Sequence, residues 1–133
     1  MTFHATCHCG ATRIALPGHP TEAARCNCTF CQRTGAVWAY YDPEALRVER
    51  ADEQRSYSTN PAFGQHYFCG RCGMHSWGES LDWSQIYNSD GTPKGDDPDA
   101  LPTRRKCQVN LNLVDGLDWS RIAIEELDGR NAW

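Results

Sequence analysis

Seven of the eight cysteines in this 133-residue chain fall into three short clusters: Cys7-His8-Cys9-Gly10, Cys26-Asn27-Cys28-Thr29-Phe30-Cys31 and Cys69-Gly70-Arg71-Cys72-Gly73. Thiolates spaced this way suit divalent metal ions. A structural zinc takes four protein ligands and is closed, whereas a catalytic zinc takes three and keeps one position open. The outer clusters together offer four sulfurs and the middle cluster three. The count therefore divides into one closed site and one open site. The competing chemistry is a disulfide framework, but a bridge between cysteines one or two residues apart closes almost no loop and stabilises little.

The outer pairs are far apart in the chain. Cys69-x-x-Cys72-Gly73 has the spacing of a zinc knuckle, with glycines that permit a left-handed turn and expose amides to the sulfurs. Cys7-x-Cys9-Gly10 is tighter and supplies the other pair, so that one metal fastens two distant regions together. The middle cluster can wrap an ion from a single loop and leave one face free. The alternative is closure by a fourth ligand, for which Cys107, His8, His66 and His75 are the candidates. Cys107 lies in a strand-like segment and reads most simply as a small buried hydrophobe. An open site binds water or an external thiolate and lowers that ligand's pKa. Arg33 and Thr34 follow the third ligand directly. An arginine there offers a bidentate fork to a substrate carboxylate, the plain alternative being a salt bridge or a turn cap. His75 and Glu79 stand near the last cluster and read as surface residues. Trp38, Tyr40, Tyr41, Trp77 and Trp83 supply aromatic walls or core.

The elements that must position these residues are mostly strands. Two-fold apolar spacing marks residues 12–16, 36–41, 65–68 and 108–113, with Leu46-Arg47-Val48 and Ile122-Ala123-Ile124 as shorter candidates. In the fourth segment Val109, Leu111 and Leu113 face one way and Asn110 and Asn112 the other. Pro17-Gly18, Asp42-Pro43, Asn60-Pro61 and Asp115-Gly116 punctuate the strands. No window sustains a helical stripe. Short helical turns are expected through Thr29 to Arg33 and at Pro43 to Leu46, and a long polar loop from Asn88 to Pro102. The expectation is a mainly β fold in a single domain over residues 1–133.

Thirteen basic and seventeen acidic residues leave a formal charge of −4, and loading both sites takes it to about −7 once the thiols give up their protons. Arg104-Arg105-Lys106 is the one concentrated basic run, with Asp96, Asp97 and Asp99 just upstream, whereas a nucleic-acid domain carries a basic face. Nucleic acid is excluded as an expected partner. No apolar run reaches membrane-spanning length and no leader pattern opens the chain, so a cytoplasmic location, where thiols stay reduced, is expected.

The three clusters in this order resemble the glutathione-dependent formaldehyde-activating family, which includes centromere-protein-V-like members. The resemblance runs through Cys7-His8-Cys9-Gly10, Cys26-Asn27-Cys28-Thr29-Phe30-Cys31-Gln32-Arg33-Thr34-Gly35 and Phe68-Cys69-Gly70-Arg71-Cys72-Gly73. It ends in Val109-Asn110-Leu111 and Leu113-Val114-Asp115-Gly116-Leu117, so that its core spans about residues 3–127. It implies a β-tent fold, a structural zinc on Cys7, Cys9, Cys69 and Cys72, and a second, functional zinc on Cys26, Cys28 and Cys31. It also implies carbon–sulfur lyase chemistry on adducts of a small thiol with an aldehyde, such as S-hydroxymethylglutathione. Many members follow the last cluster with a Pro-aromatic stretch. Here it reads Met74-His75-Ser76-Trp77-Gly78-Glu79, and the thiol is left open. Two other readings share the ligands: a non-catalytic zinc–thiol carrier, and a structural double-zinc module that docks another protein.

Overall fold

Alternation along the chain sets the sheets, and the sheets set the site. The structure, a computed structural model, describes residues 2–132. Its strands are β1 (Phe3–Thr6), β2 (Thr12–Leu16), β3 (Glu22–Cys26), β4 (Trp38–Tyr41), β5 (Arg47–Ala51), β6 (Gln54–Tyr57), β7 (Gly64–Cys69), β8 (His75–Leu81), β9 (Arg105–Asn110) and β10 (Ala123–Leu127). Two short helices, α1 (Thr29–Thr34) and α2 (Gly129–Ala132), accompany them. The strands form a three-stranded sheet, β1-β2-β5, and a seven-stranded sheet, β10-β3-β4-β9-β8-β7-β6. Every pairing is antiparallel except β10 on β3. This is the mainly β, two-sheet architecture expected of a β-tent.

The core lies between the sheets. Ala5, Ile14 and Leu16 of the smaller sheet pack with Ala23, Ala39 and Val109 of the larger and with Val37, Leu111, Val114 and Ile122 beside it. Ile14, Val109 and Leu111 have no solvent exposure. Because successive side chains alternate across a strand, burying Ala39 and Val109 inward turns Trp38, Tyr40, Gln108 and Asn110 to the opposite face. That face carries the cleft described below.

Strand β2 and helix α1 fall where spacing predicts them. The strand expected at 108–113 begins at Arg105 and ends at Asn110, and Leu111–Leu113 turn into a 3-10 helix. The cause is local: the Asn110 side chain accepts from the Asn112 amide and caps the turn. Val109 and Asn110 do face opposite ways, and Leu111 reaches the core from the turn. Strands β1, β3, β6 and β8 carry too little alternating apolar character to be read in advance. The segment from Asn88 is irregular, held by an isolated Tyr87–Pro93 bridge and by Thr92 donating to Asp90.

Candidate functional site

The outer clusters meet as two matching turns. Cys7 follows β1 and Cys69 closes β7. Gly10 donates to the Cys7 carbonyl at 3.1 Å and Gly73 to the Cys69 carbonyl at 2.8 Å. Both glycines take positive φ, 82° and 80°, a region that costs other residues dearly. The four sulfurs all lie within 4.8 Å of one another, with Cys7–Cys9 at 3.8 Å and Cys9–Cys69 at 3.6 Å. A disulfide needs about 2.05 Å. Sulfurs at about 2.3 Å from one tetrahedral ion stand about 3.8 Å apart, so the spacing is that of ligands around a common centre.

Protonation bears this out. Partial desolvation opposes ionisation of Cys72, yet the Cys9 and Met74 amides with the Cys69 and Cys7 thiols bring it down to about 6. At Cys9 the Ala11 amide favours the thiolate, but desolvation and the three neighbouring thiols push it up to about 11. One thiol ionises readily and a neighbour then resists; a divalent cation removes that conflict.

The middle cluster is built locally. Cys26 ends β3, Cys28 caps α1 and Cys31 lies in its first turn. Their sulfurs also fall within 4.8 Å of one another, and among the described residues neither Cys107, His8, His66 nor His75 joins them. Among the described residues the group is three, with no fourth protein ligand. Hydrogen-bond donors are directed at the sulfurs: the Cys28 amide to Cys26 Sγ at 3.4 Å, the Cys31 amide to Cys28 Sγ at 3.3 Å, and the Trp38 indole Nε1 to Cys31 Sγ at 3.3 Å. Burial pushes the Cys31 thiol up to about 12 despite that indole. Cys28 is also opposed by burial, but its amide donors carry it below the ordinary range. Three clustered thiols with converging N–H donors are a donor set suited to a soft or borderline cation.

A strap from the far end of the chain holds this loop. Asn27 donates through its amide to the Leu127 carbonyl and through its side chain to Asp128. Arg130 returns three bonds, from its amide and Nε to Asn27 and from Nη2 to Gln32. Nothing in the spacing of the cysteines pointed to these residues.

Beside the loop opens a cleft of about 850 Å³ between α1 and the outer face of β6 to β9. Arg33 and Thr34 stand at its edge. Arg33 is exposed and forms no ion pair among the described residues. The Thr34 hydroxyl donates to the Cys31 carbonyl at 3.1 Å. Phe30, His66, Phe68 and His75 form the wall. His75 reaches this face through an irregularity: the β7–β8 register shifts between Tyr67 and Phe68, so that Phe68 pairs with His75 while Tyr67 pairs with Trp77. Asn110 anchors the wall by donating to the His75 carbonyl.

Of the other aromatics, Trp38 alone hydrogen-bonds to a cluster sulfur. Trp77 and Tyr41 pack against the core, and Trp83 joins Phe63 and Tyr87 in a separate group. Glu79 accepts from the Tyr67 hydroxyl, away from the cleft. Cys107 is buried, at 3% exposure. His66 and His75, read from the sequence as stray ligands or surface, are cleft residues. Only the pairing of β7 with β8 brings them together.

The family model described as glutathione-dependent formaldehyde-activating enzyme matches residues 2–91. Among solved structures, the chain is similar to the crystal structure of a Rhodobacter sphaeroides protein from a structural genomics programme. That protein is 26% identical, with a TM-score of 0.63 over 91% of this chain and 98% of the other. No helix among the described residues is long and apolar enough to cross a membrane.

Proposed function

The chain belongs to the glutathione-dependent formaldehyde-activating family, and from that membership we propose that it is a zinc-dependent carbon–sulfur lyase. Its substrates are adducts of a small thiol with an aldehyde, S-hydroxymethylglutathione being the type. The observation that carries the reading is the middle group itself: three sulfurs within 4.8 Å, with no fourth protein ligand among the described residues, beside a cleft of about 850 Å³. Two zinc ions per chain are assigned, one to Cys7, Cys9, Cys69 and Cys72 and one to Cys26, Cys28 and Cys31. Zinc at the second group supplies a lowered pKa for a presented thiol and a fixed orientation for it.

The chain's own residues do the rest. The Cys28 and Cys31 amides and the Trp38 indole spread the negative charge that three thiolates concentrate. Arg33 offers two parallel donors to a substrate carboxylate at the cleft edge. Thr34 has spent its hydroxyl proton on Cys31, so toward a substrate it presents oxygen lone pairs. A reducing compartment such as the cytoplasm keeps the seven clustered cysteines as thiols.

The test is turnover. Zinc-loaded protein with glutathione and formaldehyde should accelerate S-hydroxymethylglutathione exchange above its spontaneous rate, read by exchange NMR. The Cys28→Ser variant should lose the acceleration. Thiol binding without acceleration would make the protein a carrier, and no thiol binding would leave a double-metal structural module.

A further inference from the structure

Three buried polar atoms on one side of the large sheet lack a hydrogen-bond partner: His66 Nδ1, His75 Nδ1 and Gln108 Oε1. Buried polar groups are almost always paired, so such a concentration calls for a cause. Register explains their neighbourhood. Tyr57, His66, Gly78, Gln108 and Tyr40 pair in turn across β6, β7, β8, β9 and β4, which puts them in one row on one face. Gly78 leaves a gap in that row. A Cβ there would stand 2.7 Å from Gln108 Nε2, so the Gln108 carboxamide lies against Gly78 on the side toward His66. Gln108 is only 6% exposed.

His66 is the member of this row tied most closely to the three-thiol loop. Its ring stacks on Phe30, the residue before Cys31, with centroids 3.9 Å apart. It lies 6.1 Å from the Trp38 ring, whose indole donates to Cys31 Sγ. His75 meets Phe30 only by its edge, at 5.3 Å. Neither nitrogen of His66 has a partner among the described residues. Nδ1 is shut away from solvent while the residue lines the cleft, so the ring meets the cleft along its Nε2 edge. A buried N–H without an acceptor is rarer than an under-used acceptor, which assigns the proton of the neutral ring to Nε2. Burial, with His75 adding to it, brings the His66 pKa down to about 4, so the ring is neutral near pH 7 and remains a donor.

We propose that His66 is a catalytic residue of the lyase reaction, its Nε2–H donating to the oxygen borne by the carbon that bonds to sulfur. The inference rests on the lyase reading above. In the forming direction the thiolate lone pair makes the C–S bond and the C=O π pair moves to oxygen. His66 holds that oxygen while it is negative, and water in the open cleft supplies the proton that completes the hydroxyl. In the breaking direction the hydroxyl proton leaves to water, the C=O bond re-forms and the C–S pair departs with sulfur. A neutral donor aimed at a developing oxyanion is a large electrostatic contribution to catalysis.

The test uses zinc-loaded protein. His66→Phe keeps the ring stacked on Phe30 and removes the donor; His66→Gln restores an N–H. Turnover of S-hydroxymethylglutathione should fall about 10²- to 10³-fold in the Phe variant, with KM within about twofold and melting temperature and zinc content unchanged, and the Gln variant should recover part of the loss. Independently, the imidazole ¹⁵N resonances of wild-type His66 should move on adding S-hydroxymethylglutathione, formed from glutathione with formaldehyde, and not on adding S-methylglutathione. This second measurement needs no variant to fold. Undiminished turnover in His66→Phe, or ¹⁵N resonances that fail to distinguish the hydroxymethyl from the methyl thioether, overturns the role of His66 and leaves the lyase reading intact. Wild-type protein that gives no acceleration at all overturns the lyase reading, and this inference with it.

Discussion

The two cysteine groups use the same atoms, each set gathered within 4.8 Å, and are built in opposite ways. The outer group draws its sulfurs from two turns whose members Cys9 and Cys69 are 60 residues apart. The middle group draws all three from one stretch that runs out of β3 into α1. A site assembled from distant segments cannot exist in the unfolded chain, so its metal-binding energy is folding energy. A site assembled from one loop closes a trivial length of chain, and its metal adds little to the fold. Closure follows the same division. The outer group buries Cys7 and Cys69 against Ala11, while the middle group offers three ligands on a loop whose Thr29 and Phe30 line the cleft.

The sharpest way to break this comparison is by substitution. Cys69→Ser should remove most of the domain's stability, of order the whole 5–15 kcal/mol typical of a small domain, because it leaves a buried site one ligand short. Cys28→Ser should melt within a few degrees of wild type while losing turnover. Thermal melts of the two variants check it, and equal losses would show that the middle group is structural as well.

Chelation gives a second, graded measure. A chelator should strip the middle group first, leaving the fold intact by circular dichroism, and should unfold the chain only as the outer group empties. Release of both ions in one step would join the two sites into a single cooperative unit.

A smaller effect concerns the strap. Arg130→Ala removes two exposed side-chain bonds, from Nε to Asn27 and from Nη2 to Gln32, and should cost about 1 kcal/mol or less of global stability. Its main consequence should be faster loss of metal from the middle group, measured by stopped-flow chelation. Unchanged release kinetics would mean that the loop holds its shape without the C-terminus.

A further effect concerns acid stability. Burial, helped by His75, holds the His66 pKa at about 4 against 6.5 for the ordinary residue. Between those values the unfolded chain binds a proton that the folded chain refuses. The cost is absent above about pH 6.5, grows as pH falls and is complete below about pH 4. His66→Gln should therefore lose less stability than wild type across that window. Metal release at low pH is common to both proteins and cancels in the difference. Parallel denaturation curves at all pH values would show that His66 is not desolvated.

How much of this was legible beforehand depends on the range of the interaction concerned. Cysteine spacing is a local property, and a thiolate pair one or two residues apart can meet one ion whatever the rest of the chain does. The division into four and three sulfurs was therefore readable from the residues alone. So were β2, with its alternating Ile14 and Leu16, and the helical turn at Thr29. Strand β8 was not readable, because Ser76, Gly78 and Ser80 alternate with residues that give no apolar stripe. It is a strand because β7 and β9 flank it and take up its hydrogen bonds.

The cleft belongs to that second kind of information. His66 and His75 are nine residues apart on separate strands, and a single register irregularity decides that both face α1. Gln108 matters only because Gly78 stands beside it and has no Cβ. Arg130 reaches the middle loop only because β10 runs parallel to β3 and delivers the chain's end there. Sequence by itself determined which residues can ligate a metal, since chain connectivity enforces their proximity. Tertiary structure alone decided which side chains surround the open face, since pairing between strands, not distance along the chain, sets who meets whom.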